Sequence, residues 1–262
     1  MFNHTMSENV LVLMTNESYS AKCLRTVWEC RNIGKYFGDI VLISHPELQE
    51  NAGYIQSCAS LRATPVFFPL IDLKHILAKI QECPLNDTDG RELKKTFQWQ
   101  KIHIFNTYFK KWKTLFYIDA GMRIIQDINI FFTFPRPTSI LAHCDTYPVY
   151  DLCIMNQFNR TARPELFAEL SATYNLNRTV YQTGIMLFHT DIIQENTVDE
   201  LLLLANKYPI SRTNEQGIMN LYFIDKLSQV PVYRENRFLY DFWERFGLHG
   251  SKYTMLKYPT TV

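Results

Sequence analysis

The stretch LFYIDAGMRI, residues 115–124, sets a lone acid at the end of an apolar run: Asp119 follows Leu115–Ile118, the chain turns on Ala120 and Gly121, and apolar residues resume at Met122. A carboxylate in that position has two uses. It can cap its own turn, or it can face a ligand, because in an open parallel sheet ligands sit beyond the carboxyl ends of the strands. Comparable polar positions close two other apolar runs: Thr15 and Asn16, with Tyr19 just beyond, and Asp145 after TSILAHC. Convergence of these residues on one edge would suit a single phosphorylated small molecule. Competing chemistries lack their residues. The sequence has no G-x-G-x-x-G, P-loop, H-E-x-x-H or G-x-S-x-G motif, and its histidines are scattered without zinc-ligand spacing.

The elements that must position these residues follow from the apolar pattern. Val10–Met14 is a continuous apolar run and reads as a buried strand, followed by a helix in YSAKCLRTVWECRNIG whose apolar positions recur at helical spacing and which Gly34 closes. DIVLIS (39–44) and TPVFFPL (64–70) are further strands. A helical pattern spans about 92–110, and TLFYI (114–118), without a charge, is a central strand. Beyond it lie MRIIQDINIFF, read as a short strand and a one-turn helix, the strand TSILAHCD, and an irregular aromatic region from 146 to 183. GIMLFHT (184–190) is a strand, 191–208 a helix capped by Asp191, and 212–225 a further helix. The strand–helix–strand rhythm predicts an α/β fold, a Rossmann-like, mainly parallel central sheet with helices on both faces. No linker separates two units, so residues 1–262 are expected to form one domain, with a nucleotide-binding half over about 1–125 and an acceptor half over about 126–262.

Composition narrows the partners. With 262 residues, 47% of them apolar and 14% aromatic, the chain can bury a large core, and a formal charge of +1 supplies no basic field for nucleic acid. No stretch approaches the roughly 20 apolar residues of a membrane span. The amino terminus lacks a basic and apolar leader pattern, so a cytoplasmic location is expected, with the N-x-S/T sites at Asn3, Asn16, Asn86, Asn159 and Asn177 incidental. The six cysteines have no C-x-x-C spacing and read as free thiols.

Four segments taken in order, TNESYSAKCLRTVWECRNIG…DIVLIS, QKIHIFNTYFKKWKTLFYIDAGMRI, YQTGIMLFHTDII and TNEQGIMNLYF, resemble the glycogenin-like glycosyltransferases of family 8, which have the GT-A fold. The resemblance covers roughly residues 10–225. It implies a hexosyl- or pentosyltransferase that moves a sugar, with retention, from a nucleotide-sugar such as a UDP-sugar to a hydroxyl on a glycan, a protein or a small molecule. In that family the strand-terminal motif is Asp-x-Asp, and its carboxylates hold Mn²⁺ or Mg²⁺ against the donor diphosphate. This chain keeps the first as Asp119 and has Gly121 where the second would stand. The resemblance further implies a metal-binding His249 followed by Gly250 and Lys252 at the diphosphate. It places Lys101 toward the donor and Thr15, Asn16 and Tyr19 around the nucleobase. QTG and NEQG match the family's Asn-Ser-Gly and Asp-Gln-Gly, which sets Gln182, Glu215 and Gln216, with Asp119, at the reacting sugar, and Asp145 beside them. Arg123 could offset the missing acid. Rival expectations are a catalytically silent nucleotide-sugar binder and a protein-interaction domain using the aromatic segment around Tyr147, Tyr150 and Phe158.

Overall fold

The computed structural model describes residues 8–81, 96–133, 140–144, 153–226, 232–233 and 254–257. In chain order the strands are β1 (Asn9–Thr15), β2 (Asp39–Ser44), β3 (Ala63–Val66), β4 (Thr114–Ile118), β5 (Met122–Ile124), β6 (Leu141–Cys144), β7 (Tyr181–His189), β8 (Val232–Tyr233) and β9 (Met255–Lys257). The helices are α1 (Glu17–Asn32), α2 (Ala52–Ser60), α3 (Lys74–Gln81), α4 (Pro164–Thr173), α5 (Thr197–Lys207) and α6 (Glu215–Lys226).

The main sheet runs β3-β2-β1-β4-β7-β6-β8. β1, β2, β3 and β4 are mutually parallel, β7 is antiparallel to both β4 and β6, and β8 runs parallel to β6. A separate ribbon pairs β5 with β9, from Met122 opposite Lys257 to Ile124 opposite Met255.

Both faces of the sheet are covered, which is why β1 and β4 read as unbroken apolar runs. Val10, Val12, Leu115 and Tyr117 face one core, shared with Trp99, Phe105 and Phe109 and with residues of α4, α5 and α6. Leu11, Leu13, Phe116 and Ile118 face the other, packed against Cys23, Val27 and Cys30 of α1, Tyr54 and Cys58 of α2, and Phe131. Cys23, Cys30, Cys58 and Cys153 are free thiols, and burial pushes Cys23 up to about 12. No helix among the described residues is long and apolar enough to cross a membrane.

Several boundaries differ from the sequence expectations. The helix expected over 92–110 is, in its described part, two 3-10 segments, Thr96–Phe105 and Thr107–Lys111, with Asn106 capping the second. Every residue from Trp99 to Phe105 is buried. With no solvent face, enclosure from all sides sets the winding, and the 3.6-residue period has nothing to align. Asp191 does not cap a long helix. It lies in a 3-10 turn, Thr190–Ile192, paired with His189 at 2.8 Å, and fully buried Ile193 in extended backbone separates that turn from α5, whose N-cap is Asn196. α6 starts at Glu215 because Asn214 sits at φ 51°, a left-handed conformation that interrupts a helix. The region 146–183, expected to be irregular, contains a 3-10 turn at Ile154–Gln157 and α4, which Pro164 opens, and β7 already begins at Tyr181.

Candidate active site

The site starts at the carboxyl end of β4. Ile118 pairs with Ile185 of β7, and the next backbone N–H, that of Asp119, donates to the carbonyl of Gly184 at 2.8 Å. Gly184 leaves room for the carboxylate: a Cβ there would stand 2.9 Å from Asp119 Oδ2 and 3.0 Å from Gln182 Oε1. The chain then turns at Gly121, whose φ of 91° favours glycine. The Gly121 N–H donates to Thr26 Oγ1 at 3.1 Å, and the same hydroxyl donates to the carbonyl of Met122 at 2.8 Å. One turn further along α1, buried Glu29 accepts from the backbone N–H of Ile124 at 2.8 Å and from Arg123 Nε at 2.5 Å. Arg123 is therefore committed to Glu29, and the turn after β4 is fixed to α1 by two side chains.

Asp119 does not spend its carboxylate on that turn. Oδ1 accepts from the Tyr117 hydroxyl at 3.0 Å and lies 3.2 Å from Lys101 Nζ. Tyr117 and Asp119 are two residues apart on one strand face, and Tyr117's pKa is raised well above the ordinary value by burial first and by the Asp119 charge second, so it stays a donor. Lys101 comes from the 3-10 segment and is buried, contrary to the usual exposure of lysine. Its ammonium also lies 3.0 Å from Glu215 Oε1, 3.4 Å from Thr183 Oγ1 and 5.3 Å from the centre of the Tyr117 ring. Burial alone would lower the Lys101 pKa, but the Asp119 and Glu215 charges outweigh it and hold the group protonated above the usual lysine range.

The first turn of α6 supplies the remainder. Thr183 Oγ1 donates to Glu215 Oε1 at 3.1 Å, while Glu215 Oε2 is buried with no hydrogen-bond partner among the described residues. The Gln216 side-chain amide is oriented at both ends: its oxygen accepts from the Thr183 N–H at 3.3 Å and its nitrogen donates to Gln157 Oε1 at 3.0 Å, which also accepts from Thr213 at 2.6 Å. The corner is tight enough to need Gly217, where a Cβ would lie 2.7 Å from Ser211 Oγ.

At the neighbouring strand end, Thr15 is buried and Asn16 caps α1, its side-chain oxygen accepting from the Tyr19 N–H at 3.2 Å and the Ser18 hydroxyl at 3.0 Å. The Tyr19 ring is exposed, with Lys22 Nζ 5.7 Å from its centre. The structure thus gathers Lys101, Asp119, Gln182, Glu215 and Gln216 into one cluster, with Thr15, Asn16, Tyr19 and Gly121 along the same edge. Asp145, His249, Gly250 and Lys252 lie outside the described residues. Sequence reading missed Tyr117, Thr183, Gln157 and Lys22. Tyr117 was signalled by its two-residue spacing from Asp119; Gln157 sits in a region without period and carried no signal.

A resident divalent ion finds a poor donor set here. No group of three His, Cys, Asp or Glu side chains gathers among the described residues. Asp119 already shares Oδ1 with a hydroxyl and an ammonium, and Gly121 offers no side-chain oxygen. The described residues do not by themselves fit a metal.

No protein-family model matches the sequence. No curated protein matches it either. Solved structures do match. The galactosyltransferase LgtC, in complex with donor and acceptor sugar analogs, superposes over 82% of this chain and 70% of its own, with a TM-score of 0.57 and 10% identity. The apo-form glycosyltransferase GlyE of Streptococcus pneumoniae TIGR4 covers 98% of this chain with a TM-score of 0.59 and 12% identity, and this chain spans 55% of GlyE. Core-mannan synthase A of Aspergillus fumigatus, in an Mn/GDP form, covers 84% of this chain and 70% of its own, with a TM-score of 0.52 and 8% identity. These likenesses are of fold: the chain has the α/β architecture of the GT-A glycosyltransferases.

Proposed function

We propose that this chain is a glycosyltransferase that moves a sugar from a nucleotide-sugar, a UDP-sugar by its resemblance to family 8, to a hydroxyl acceptor with retention at the anomeric carbon. One observation carries the reading: the carboxylates of Asp119 and Glu215, from the end of β4 and the start of α6, are held on a common buried ammonium, Lys101, at the ligand-binding edge of a GT-A-type sheet.

Sugar transfer needs the anomeric carbon held in place, the departing diphosphate stabilised and an acceptor hydroxyl aimed. In this reading the donor lies across the turn at Asp119, with its base beside Thr15, Asn16 and Tyr19. Glu215 Oε2, buried without a donor among the described residues, accepts from a hydroxyl of the transferred sugar. Gln216 presents to the same ring an oriented amide, which the Gln157–Thr213 pair keeps from rotating, and Gln182 lies beside Asp119 at Gly184. Asp145, Gly250 and Lys252 retain the roles that the family resemblance implies, the last two at the diphosphate. His249 would join Asp119 if a metal is held.

The competing reading, a non-catalytic nucleotide-sugar binder, draws on the same engaged groups: Gln216 has both ends of its amide committed and Gly121 replaces an acid. A thermal-shift panel of UDP-sugars and GDP-mannose, each with and without Mn²⁺, followed by donor-hydrolysis assays, separates the two. Stabilisation with hydrolysis supports the transferase, stabilisation without hydrolysis supports the binder, and no response to any nucleotide removes both.

A further inference from the structure

Among the described residues the cluster carries two carboxylates and one ammonium, a net negative charge at the edge where the reading above places a diphosphate. A diphosphate there carries more charge than Lys252 alone would offset, so a positive group among the described residues should also face it. The amino terminus of α1 is already occupied: Glu47 Oε1 accepts from the Glu17 N–H at 3.0 Å, and Asn16 Oδ1 accepts from the Tyr19 N–H. Arg123 and Arg25 both turn to Glu29, at 2.5 and 4.0 Å.

Lys22 is different. It is half-buried in the first turns of α1 and makes no ion pair with any described carboxylate; its ammonium lies 5.7 Å from the centre of the Tyr19 ring. Its stem also packs on the turn after β4, with Cβ and Cδ at 4.0 and 3.9 Å from where a Cβ on Gly121 would stand. An acid at position 121 would be strained by the φ of 91° and its Cβ would touch the lysine stem, whereas glycine leaves that stem beside the turn without a neighbouring carboxylate.

We propose that Lys22 serves as the counter-charge for the donor diphosphate in place of a divalent ion, so that the chain binds its nucleotide-sugar without metal. The proposal rests on the nucleotide-sugar reading of this edge. It accounts together for the missing second acid, for a lysine with no described carboxylate partner against the glycine that replaces that acid, and for an Asp119 already bonded to protein donors. A lysine acts on phosphate as a point charge on a flexible stem, and here the stem starts against the turn after β4 with its ammonium near the Tyr19 ring.

The test is isothermal titration of the full chain with UDP and UDP-glucose, in EDTA and in Mn²⁺, for wild type, Lys22→Met and Lys22→Arg. Melting temperatures equal to wild type exclude misfolding; methionine keeps the packed stem. The expected result is wild-type affinity within twofold between EDTA and Mn²⁺, a loss of tenfold or more in Lys22→Met under both conditions, and affinity near wild type in Lys22→Arg. Tightening by Mn²⁺ of tenfold or more, or unchanged affinity in Lys22→Met, overturns the proposal and leaves the nucleotide-sugar reading standing. Absence of binding by either nucleotide under all conditions removes the UDP-sugar reading of this edge and this inference with it.

Discussion

Replacing Lys101 with methionine keeps most of the side-chain volume and removes one charge from between two carboxylates. The wild-type ammonium lies 3.0 Å from Glu215 and 3.2 Å from Asp119. At an effective dielectric of about 20, each contact is a gross attraction of about 5 kcal/mol. Most of that is offset by the desolvation of the three groups, and breaking a buried pair by removing one partner costs about 3–5 kcal/mol net. The two acids do not share the loss equally. Glu215 is 2% exposed and has no route to water, while Asp119 at 24% can turn outward. The penalty should therefore sit on Glu215, and neutralising it in the double variant Lys101→Met/Glu215→Gln should restore a large part of the stability, with Thr183 still donating to the new amide. In a chain of this size the single variant should melt about 6–20 °C below wild type. Urea and thermal unfolding of wild type, both singles and the double give a mutant cycle. A single variant within about 2 °C of wild type, which corresponds to less than about 1 kcal/mol, or a double no more stable than Lys101→Met, would refute the assignment of Lys101 as the charge that holds the cluster together.

Other perturbations read different parts of the site. Asp119→Asn should lower sugar transfer by about a hundredfold or more and melt higher than Lys101→Met, because Lys101 keeps Glu215; wild-type turnover would remove Asp119 from the chemistry. Gly184→Ala puts a Cβ 2.9 Å from Asp119 Oδ2 and should cost about 1–3 kcal/mol, with a fall in turnover as the carboxylate is displaced; unchanged urea midpoint and activity would show that the strand yields there instead. His103 stacks on Phe68 at 4.8 Å and bonds the Pro69 carbonyl at 3.0 Å. Burial lowers its pKa below the ordinary 6.5, and the Pro69 bond opposes this only in part. The unfolded chain therefore takes up the proton first as pH falls, so this stability is complete above about pH 6.5 and declines through the lowered native value. The melting temperature of wild type minus that of His103→Phe should shrink between pH 7.5 and pH 5, and a constant difference would contradict the buried neutral imidazole.

What was legible in the sequence follows from what is local. Val10–Met14, DIVLIS and TLFYI announce strands because strands covered on both faces need apolar side chains at every position, and that demand is written along the chain. Asp119 stood out as the polar residue where such a run stops. The winding of residues 96–111 was not legible, since Trp99–Phe105 are all buried and leave no polar face to define a period. The start of α6 was misplaced by three residues because nothing local announces the left-handed Asn214. Lys101 and Glu215 were visible through family resemblance and not through spacing: 114 positions separate them, and their meeting depends on β7 entering the sheet beside β4. Lys22 was passed over for the same reason. As one basic residue on an amphipathic helix it has an ordinary reading, and what distinguishes it is a glycine 99 positions later.

The switch of sheet direction explains why the cluster forms at this edge. β1 and β4 run parallel and deliver their carboxyl ends, Thr15 and Asp119, to one side. Because β7 is antiparallel to β4, its amino-terminal residues Gln182, Thr183 and Gly184 arrive at that side too, and Asn220 of α6 bonds Tyr181 through both its N–H at 2.8 Å and its carbonyl at 2.8 Å, which brings the first turn of α6 over them. A fully parallel neighbour would deliver its carboxyl end there and leave Glu215 without Thr183. The result is a buried ammonium and a buried carboxylate beside the partly exposed Asp119, with one carboxylate oxygen unpartnered among the described residues. Apolar side chains of similar volume would serve stability at least as well, since buried ion clusters seldom exceed their desolvation cost. Stability therefore does not account for the cluster; in the function proposed above, a donor hydroxyl at Glu215 Oε2, met by groups whose orientation is already fixed, would account for it.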